Sequence, residues 1–260
     1  ILLMFNGSVY QDHPFVGFNL MAVSMAIFGV NEFGARFPSA ILGFGSVVLL
    51  YLIGKNLFNK SIGIMSSLVL VSCVWFVFRS RAADLDTILL FFYLFTFYSS
   101  LKATKNSKWL TILGLSFFAT LLTKSIVGLT LIPPIIIVFA TKGIKFKLKE
   151  ALPHVLFLIF AAIAILTILA MTYGQNFFHA YINTGLKTAG KRQIDLMEIK
   201  NSLTVLYLHY GIREWFYPGI ISLIGSVFYL HKNILLLALY SWLLILFYGF
   251  LSNNKISSPP

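Results

Sequence analysis

The sequence predicts an all-α, polytopic helical membrane protein, and three observations carry that expectation. Apolar residues make up 58% of the 260 and charged residues only 11%, with a mean hydropathy of +0.87, whereas a soluble domain carries about 25% charged residues. The apolar residues fall in continuous runs near the roughly 20 residues that cross a bilayer, without the alternation of a β-barrel strand. The charges are also sorted between loops. Asp12, Glu32, Asp84, Asp86, Asp195, Glu198 and Glu214 fall in one alternate set, and of the eight acids only Glu150 falls in the other.

Taken in order, spanning helices are expected at about 38–55, 61–78, 86–101, 109–123, 126–141, 152–173, 214–230 and 233–251. The segment from Pro14 to Val30 is apolar but short, and Gly17, Asn19 and Ser24 interrupt it. It reads as a helix lying in the membrane interface, which keeps Asp12 and Asp86 on one face, with a span that would put Asp12 in the cytoplasm as the alternative. A long outer connection at about 174–213 interleaves Phe177, Phe178, Tyr181, Tyr207 and Tyr210 with Lys187, Lys191, Arg192 and Lys200, the composition of amphipathic surface helices. The organisation follows as a region 1–141 and a C-terminal transmembrane region 142–260. The chain opens on Ile1, reads as loop through Pro14 and ends at Ser258-Pro259-Pro260, so a fragment cut at both ends is expected.

The loops set the orientation. Lys55 and Lys60, then Lys102, Lys105 and Lys108, then Lys142, Lys145, Lys147 and Lys149, and finally Lys232 share one side with a single acid, Glu150. Short cation-rich loops stay in the cytoplasm. The acid-bearing loops therefore face outward, as in a multi-pass protein of a prokaryotic plasma membrane. The net charge of +12 belongs to this insertion pattern, and nucleic acid is excluded as a partner. The single cysteine, Cys73, lies in an apolar run. It excludes an internal disulfide and a cysteine metal cluster.

Chemistry-bearing residues gather on the acid side. Tyr10-Gln11-Asp12-His13-Pro14 places an acid beside a histidine before an apolar run, a pair that can hold a divalent metal or cap a helix. Arg79-Ser80-Arg81-Ala82-Ala83-Asp84-Leu85-Asp86 packs two arginines and two acids into one outer loop. That exceeds the needs of capping, and arginine is the preferred forked donor to phosphate. Thr123-Lys124-Ser125 holds a lysine between two apolar runs, either snorkelling or binding an anion. His209 precedes the aromatic run to Pro218 and is a candidate metal ligand or a structural histidine; Lys255 follows the last apolar run. Cations for a phosphate and carboxylates for base or metal work are the set a charged lipid-phosphate substrate needs.

The runs YQDHPFVGF and IFGVNEFGARFPSAILG, then FRSRAADLDTILLFF, then LLTKSIVGLTLIPP resemble the polyprenyl-phosphate-sugar-dependent GT-C glycosyltransferases. Their order and spacing are similar to the protein O-mannosyltransferase and lipid A aminoarabinose transferase branch from about Phe5 to Pro134. The resemblance implies a GT-C fold and a partial catalytic module over 1–141 that lacks its first span. It further implies transfer of a sugar from a polyprenyl phosphate to an acceptor hydroxyl on the outer face, in cell-envelope, protein or lipid A glycosylation. It assigns Asp86 to the catalytic acids and Tyr10, His13, Arg81, Lys124 and Lys255 to the donor phosphate. Asp12 falls where that branch has an acid implicated in metal binding, and His209 is its candidate companion ligand from the residue reading alone. His13 stands where the aminoarabinose branch has lysine. The family's catalytic carboxylate would lie upstream of Ile1, so the fragment is expected to be inactive alone. Donor lipid, membrane lipid and an acceptor protein, lipid or glycan are the implied partners. A lipid-linked sugar transporter or flippase and a non-catalytic scaffold remain open beside it.

Overall fold

The structure, a computed structural model, describes residues 15–173 and the backbone of two short strands before them. Strands β1 (Met4–Phe5) and β2 (Ser8–Val9) pair antiparallel, Met4 opposite Val9. The sequence reading had placed loop there. The signal it passed over is Asn6-Gly7 between the strands, a favoured dipeptide of two-residue hairpins.

Helix α1 (Val16–Phe28) is 13 residues long. At 1.5 Å per residue it reaches about 20 Å, short of the ~30 Å hydrocarbon core, in keeping with an interfacial element. The corner after it turns on Gly29, at φ 91°, where a side chain would be strained. Asn31 then serves both helices: its Nδ2 donates to Phe28 O at 3.0 Å and its Oδ1 accepts from Gly34 N at 2.8 Å. Helix α2 (Glu32–Leu57) follows, with Glu32 in its first turn and Lys55 in its last, each sign where the helix dipole favours it.

Helix α3 (Lys60–Ser72), capped by Asn59, returns against α2. The two backbones approach closely at glycines: a Cβ on Gly63 would stand 2.6 Å from Tyr51 O, and one on Gly54 would stand 2.8 Å from Gly63 Cα. Small residues permit such contact between membrane helices. The run expected as one span over 61–78 is bent by 73° at Cys73, where α4 (Val74–Ser80) begins. Cys73 takes an extended backbone, φ −69° and ψ 102°, so the helical ladder stops there.

Helix α5 (Leu85–Ala103) runs through the centre, against α2, α6 and α7. Helix α6 covers Lys108–Leu129 and α7 covers Ile132–Lys142. A span over 109–123 and another over 126–141 were expected, with the reversal at Lys124. Helical geometry instead continues past Lys124, yet the chain does fold back. A Cβ on Gly128 would stand 3.1 Å from Leu121 N, whereas seven residues of straight helix rise about 10 Å. The return leg is not one helix. It breaks at Thr130 and Leu131, because Pro133 and Pro134 lack the N–H groups to continue a ladder and suit the first turn of α7. Helix α8 (Leu148–Tyr173) closes the described residues against α6, where Thr111 Oγ1 meets His154 Nδ1 at 2.8 Å.

Among the described residues three helices, α2, α5 and α8, are long and apolar enough to cross a membrane, and the α3–α4 pair makes a fourth if counted as one bent span. The chain is an all-α multi-pass membrane protein with a small hairpin. The expected spans at 214–230 and 233–251 and the connection at 174–213 lie outside the described residues. The largest apolar core joins Ile53 and Leu57 of α2, Tyr93, Phe97 and Leu101 of α5, and Leu131 and Val138 near α7. Two hydroxyl pairs near it are satisfied within the bundle: Thr96 and Thr120 meet at 3.3 Å, and Tyr93 meets Thr130 at 3.0 Å.

The charge sorting survives in three dimensions. Lys145 N donates to Thr104 O at 2.9 Å, so the two lysine-rich loops meet at one end of α5. Asp86 begins the other end, about 25 Å away along the helix.

Candidate functional site

Four charged side chains and one hydroxyl converge at the acid end of α5. Asp84 is the N-cap: its Oδ2 accepts from Thr87 N at 3.2 Å. Capping uses only part of its capacity, for Oδ1 accepts from Arg79 Nη1 at 2.7 Å. The same Arg79 nitrogen reaches Asp86 Oδ2 at 3.0 Å, and Lys124 Nζ pairs with Asp86 Oδ1. One guanidinium thus bridges two carboxylates, and one carboxylate is gripped by cations from two directions. Arg79 also lies over the Trp75 ring, 5.1 Å from its centroid, which fixes the cation from behind.

The loop between Arg79 and Asp84 is fastened to α2. Ser39 Oγ accepts from Asp84 N at 3.0 Å and donates to Asp84 O at 3.1 Å. Ser39 is fully buried, and one turn further along α2 a Cβ on Gly43 would stand 2.7 Å from Ser80 Oγ. A small hydroxyl and a glycine therefore let the start of α2 touch the acid-bearing loop directly.

The cluster stays open to substrate. Asp86 and Lys124 are 42% and 36% exposed, against 15% for Asp84. Arg79 has further N–H donors beyond the nitrogen that bridges the acids, and Lys124 has two protons beyond the one directed at Asp86. Such a site can hold an anion beside a carboxylate pair. It does not fit a divalent ion on its own: both oxygens of Asp86 already face cations, and among the described residues no three histidine, cysteine, aspartate or glutamate side chains gather.

The sequence reading is refined in two ways. Asp86 and Lys124, named from separate segments, meet. Arg81, named for the donor phosphate, lies outside this cluster, and Arg79 is the arginine that contacts the two acids. Positions two apart on a helix point about 200° apart, so the two arginines leave α4 on different sides. Arg81 instead lines a groove shared with Arg36. Spacing that put both arginines near Asp86 could not choose between them; the signal was helical phase. Ser39 carried no sequence signal of its own. Tyr10, Asp12, His13, His209 and Lys255 lie outside the described residues.

Comparison with known proteins follows the same segments. The family profile described as dolichyl-phosphate-mannose-protein mannosyltransferase matches residues 12–170. A Bacillus subtilis (strain 168) protein, YkcB, whose name marks it as a candidate mannosyltransferase, is 31% identical over 111 residues, 43% of this chain and 16% of that protein. An undecaprenyl phosphate-alpha-4-amino-4-deoxy-L-arabinose arabinosyl transferase 1 of Pseudomonas fluorescens (strain Pf-5) is 36% identical over 85 residues, 32% of this chain and 15% of that protein. An Aquifex aeolicus (strain VF5) protein is 26% identical over 266 aligned positions, 98% of this chain and 58% of that protein. The chain thus matches only a minor part of the first two relatives. No solved structure matches it. The profile covers more than half of the chain, and the segments it spans are the ones that build the Arg79–Asp84–Asp86–Lys124 cluster: this chain belongs to the dolichyl-phosphate-mannose-protein mannosyltransferase family, within the GT-C membrane glycosyltransferases.

Proposed function

We propose that the protein of which this chain is part transfers a sugar from a polyprenyl-phosphate donor to an acceptor hydroxyl at the outer membrane face. One observation carries the reading. The three sequence segments behind the family resemblance come together in space: Ser39 from the first, Arg79, Asp84 and Asp86 from the second, and Lys124 from the third. Segments that resemble an enzyme family and also build one charged cluster are what a shared active site would produce.

The reaction breaks the bond between the anomeric carbon and the phosphate oxygen and forms one to the acceptor oxygen. The electron pair leaves with the phosphate, and the acceptor proton goes to a carboxylate. Arg79 and Lys124 supply cations where the leaving phosphate gains charge, which is where fixed positive groups accelerate transfer. Asp86 and Asp84 hold those cations in place, so their contribution is first of all to positioning. We assign acceptor-proton removal to a carboxylate outside the described residues. Tyr10, His13 and Lys255 are proposed to complete the phosphate contacts, and Asp12 with His209 to hold a divalent ion. The sugar and the acceptor class, whether protein, lipid or glycan, stay open under this reading.

The test is turnover of the full-length protein, reconstituted with polyprenyl-phosphate sugars. Asp86→Asn should abolish transfer while leaving insertion intact; unchanged turnover would remove Asp86 and its cluster from the site. The 73° bend at Cys73 is the observation that favours a lipid-linked sugar transporter, since transporters use broken helices. Movement of labelled lipid-linked sugar across vesicles, with no glycosyl transfer to any acceptor, would establish that second reading instead.

A further inference from the structure

A groove with two arginines opens at the bend at Cys73. The last turn of α3 and the whole of α4 diverge by 73°, and the angle between them opens a groove of about 760 Å3. Val71, Val74, Val77 and Phe78 form an apolar wall, and Arg36 and Arg81 bring two guanidiniums from different elements. Val74 is 67% and Phe78 62% exposed, so the apolar wall is bare among the described residues. Arg36 carries one carboxylate contact, to Glu32 at 3.0 Å, with side chains 54% and 82% exposed; an exposed pair of this kind is worth little and yields easily. Arg81 has no ion-pair partner among the described residues. None of Asp84, Asp86 and Lys124 lines the groove, and Arg79, which does not line it either, is turned to the acids.

One unpaired guanidinium and one held only by an exposed carboxylate, beside an apolar wall, match one chemistry, an anionic phosphate carried on an acyl chain. We propose that this groove binds an anionic phospholipid of the surrounding bilayer, its phosphate between Arg36 and Arg81 and its chain along Val71, Val74 and Phe78. The occupant is a bilayer lipid and not the reacting donor, because the groove is separate from the carboxylate cluster that would hold the reacting phosphate. It is nonetheless coupled to that cluster: Ala82 and Ala83 line the groove and lead directly into Asp84. A seated lipid fixes the bend and, through these two residues, the loop that presents both acids. The inference goes beyond the transferase reading, and only the exclusion of the donor as occupant rests on it.

The test uses the full-length protein in nanodiscs and reads lipid occupancy by native mass spectrometry. Phosphatidylglycerol should be retained over phosphatidylcholine, and Arg36→Gln with Arg81→Gln should reduce that preference at least about tenfold. Val74→Trp, which fills the groove and keeps both charges, should reduce it as well, and serves where the double variant fails to insert. Asp86→Asn should leave it unchanged. Equal retention of the two lipids, or a preference that survives both the double variant and Val74→Trp, overturns the proposal. Displacement of phosphatidylglycerol by equimolar polyprenyl phosphate also overturns it, by making the groove the donor's seat. These readouts need no glycosyl transfer, so an absent transferase activity and an empty groove are separately visible.

Discussion

The two ends of α5 carry charge in opposite ways. At the Asp86 end, cations from α4 and α6 meet acids at the start of α5, and a hydroxyl from α2 ties in the loop. At the Lys102 end the basic side chains rest on rings instead: Lys102 lies 5.3 Å from the Tyr98 centroid, and Lys55 lies 5.8 Å from that of Tyr51. Their one acid, Glu150, has no ion pair among the described residues. Both ends carry basic residues, yet among the described residues only one joins charges across three helices. Charge that serves insertion needs only to be on the correct side. Charge that serves chemistry needs partners at fixed distances, and of the two ends the Asp86 end has such partners among the described residues.

The sharpest way to break this comparison is to remove the bridge. Lys124→Gln or Arg79→Gln should lower kcat of the full-length enzyme by at least about 100-fold, the scale for losing one fixed donor at a developing charge. Asp86→Asn should do the same, because both cations lose their shared anchor. A Lys124→Gln enzyme with near-normal kcat would mean that the ion pair is structural and the reacting phosphate is elsewhere.

Next in size are changes to the packing that brings the helices together. Gly63→Leu forces a side chain against Tyr51 O, 2.6 Å from the Cβ position, and should cost about 1–3 kcal/mol as an overpacked contact. Thermal unfolding in detergent reads that loss. Ser39→Ala removes both hydrogen bonds to Asp84 and leaves its buried N–H without that partner, a cost of about 1–3 kcal/mol. Its signature differs from that of Gly63→Leu. Ser39→Ala should lower kcat more than it raises KM, and Ser39→Thr should restore part of the loss, since the hydroxyl returns. Equal kcat in Ser39→Ala and the parent would show that the loop holds its shape without α2.

Much of this was legible in the sequence, and the exceptions share a cause. Hydropathy was enough for the apolar helices of the described residues, and loop charge for the sorting of acids and lysines to opposite ends of α5, because those depend on residue type and order. The short apolar helix α1 was legible from the length of its run. What failed was phase and geometry. Arg81 and Arg79 have the same chemistry two positions apart, and only the α4 helix decides that Arg79 faces the acids. The bend at Cys73 interrupts an unbroken apolar run that hydropathy scores as one span. The return leg after Lys124 divides at Thr130 and Leu131, although Pro133 and Pro134 announced a break. Ser39 could not be found at all, because one serine in an apolar helix gains meaning only from the Asp84 backbone 45 residues later.

The smallest expected effects are at the lysine end, and they decide whether the contrast holds. Lys105 and Lys108 are exposed, and no carboxylate partner is found for either among the described residues. Lys105→Gln with Lys108→Gln should leave kcat and KM within about twofold, since surface changes away from special contacts stay within about 0.5 kcal/mol. Lys102→Gln should cost somewhat more, about 0.5–1 kcal/mol, because it also loses the Tyr98 ring. Orientation is where these lysines should matter. Removing several of them together from the 102–108 and 142–149 loops should shift a reporter fused after Lys142 toward the opposite side of the membrane, as the charge bias that sets topology weakens. Two results would therefore separate the ends of α5: a catalytic loss without misinsertion at Asp86, and misinsertion without catalytic loss in the correctly inserted fraction at Lys102 to Lys108. If Lys105→Gln with Lys108→Gln lowered kcat as far as Lys124→Gln does, the lysine end would also be part of the working site and the division of labour between the two ends would be wrong.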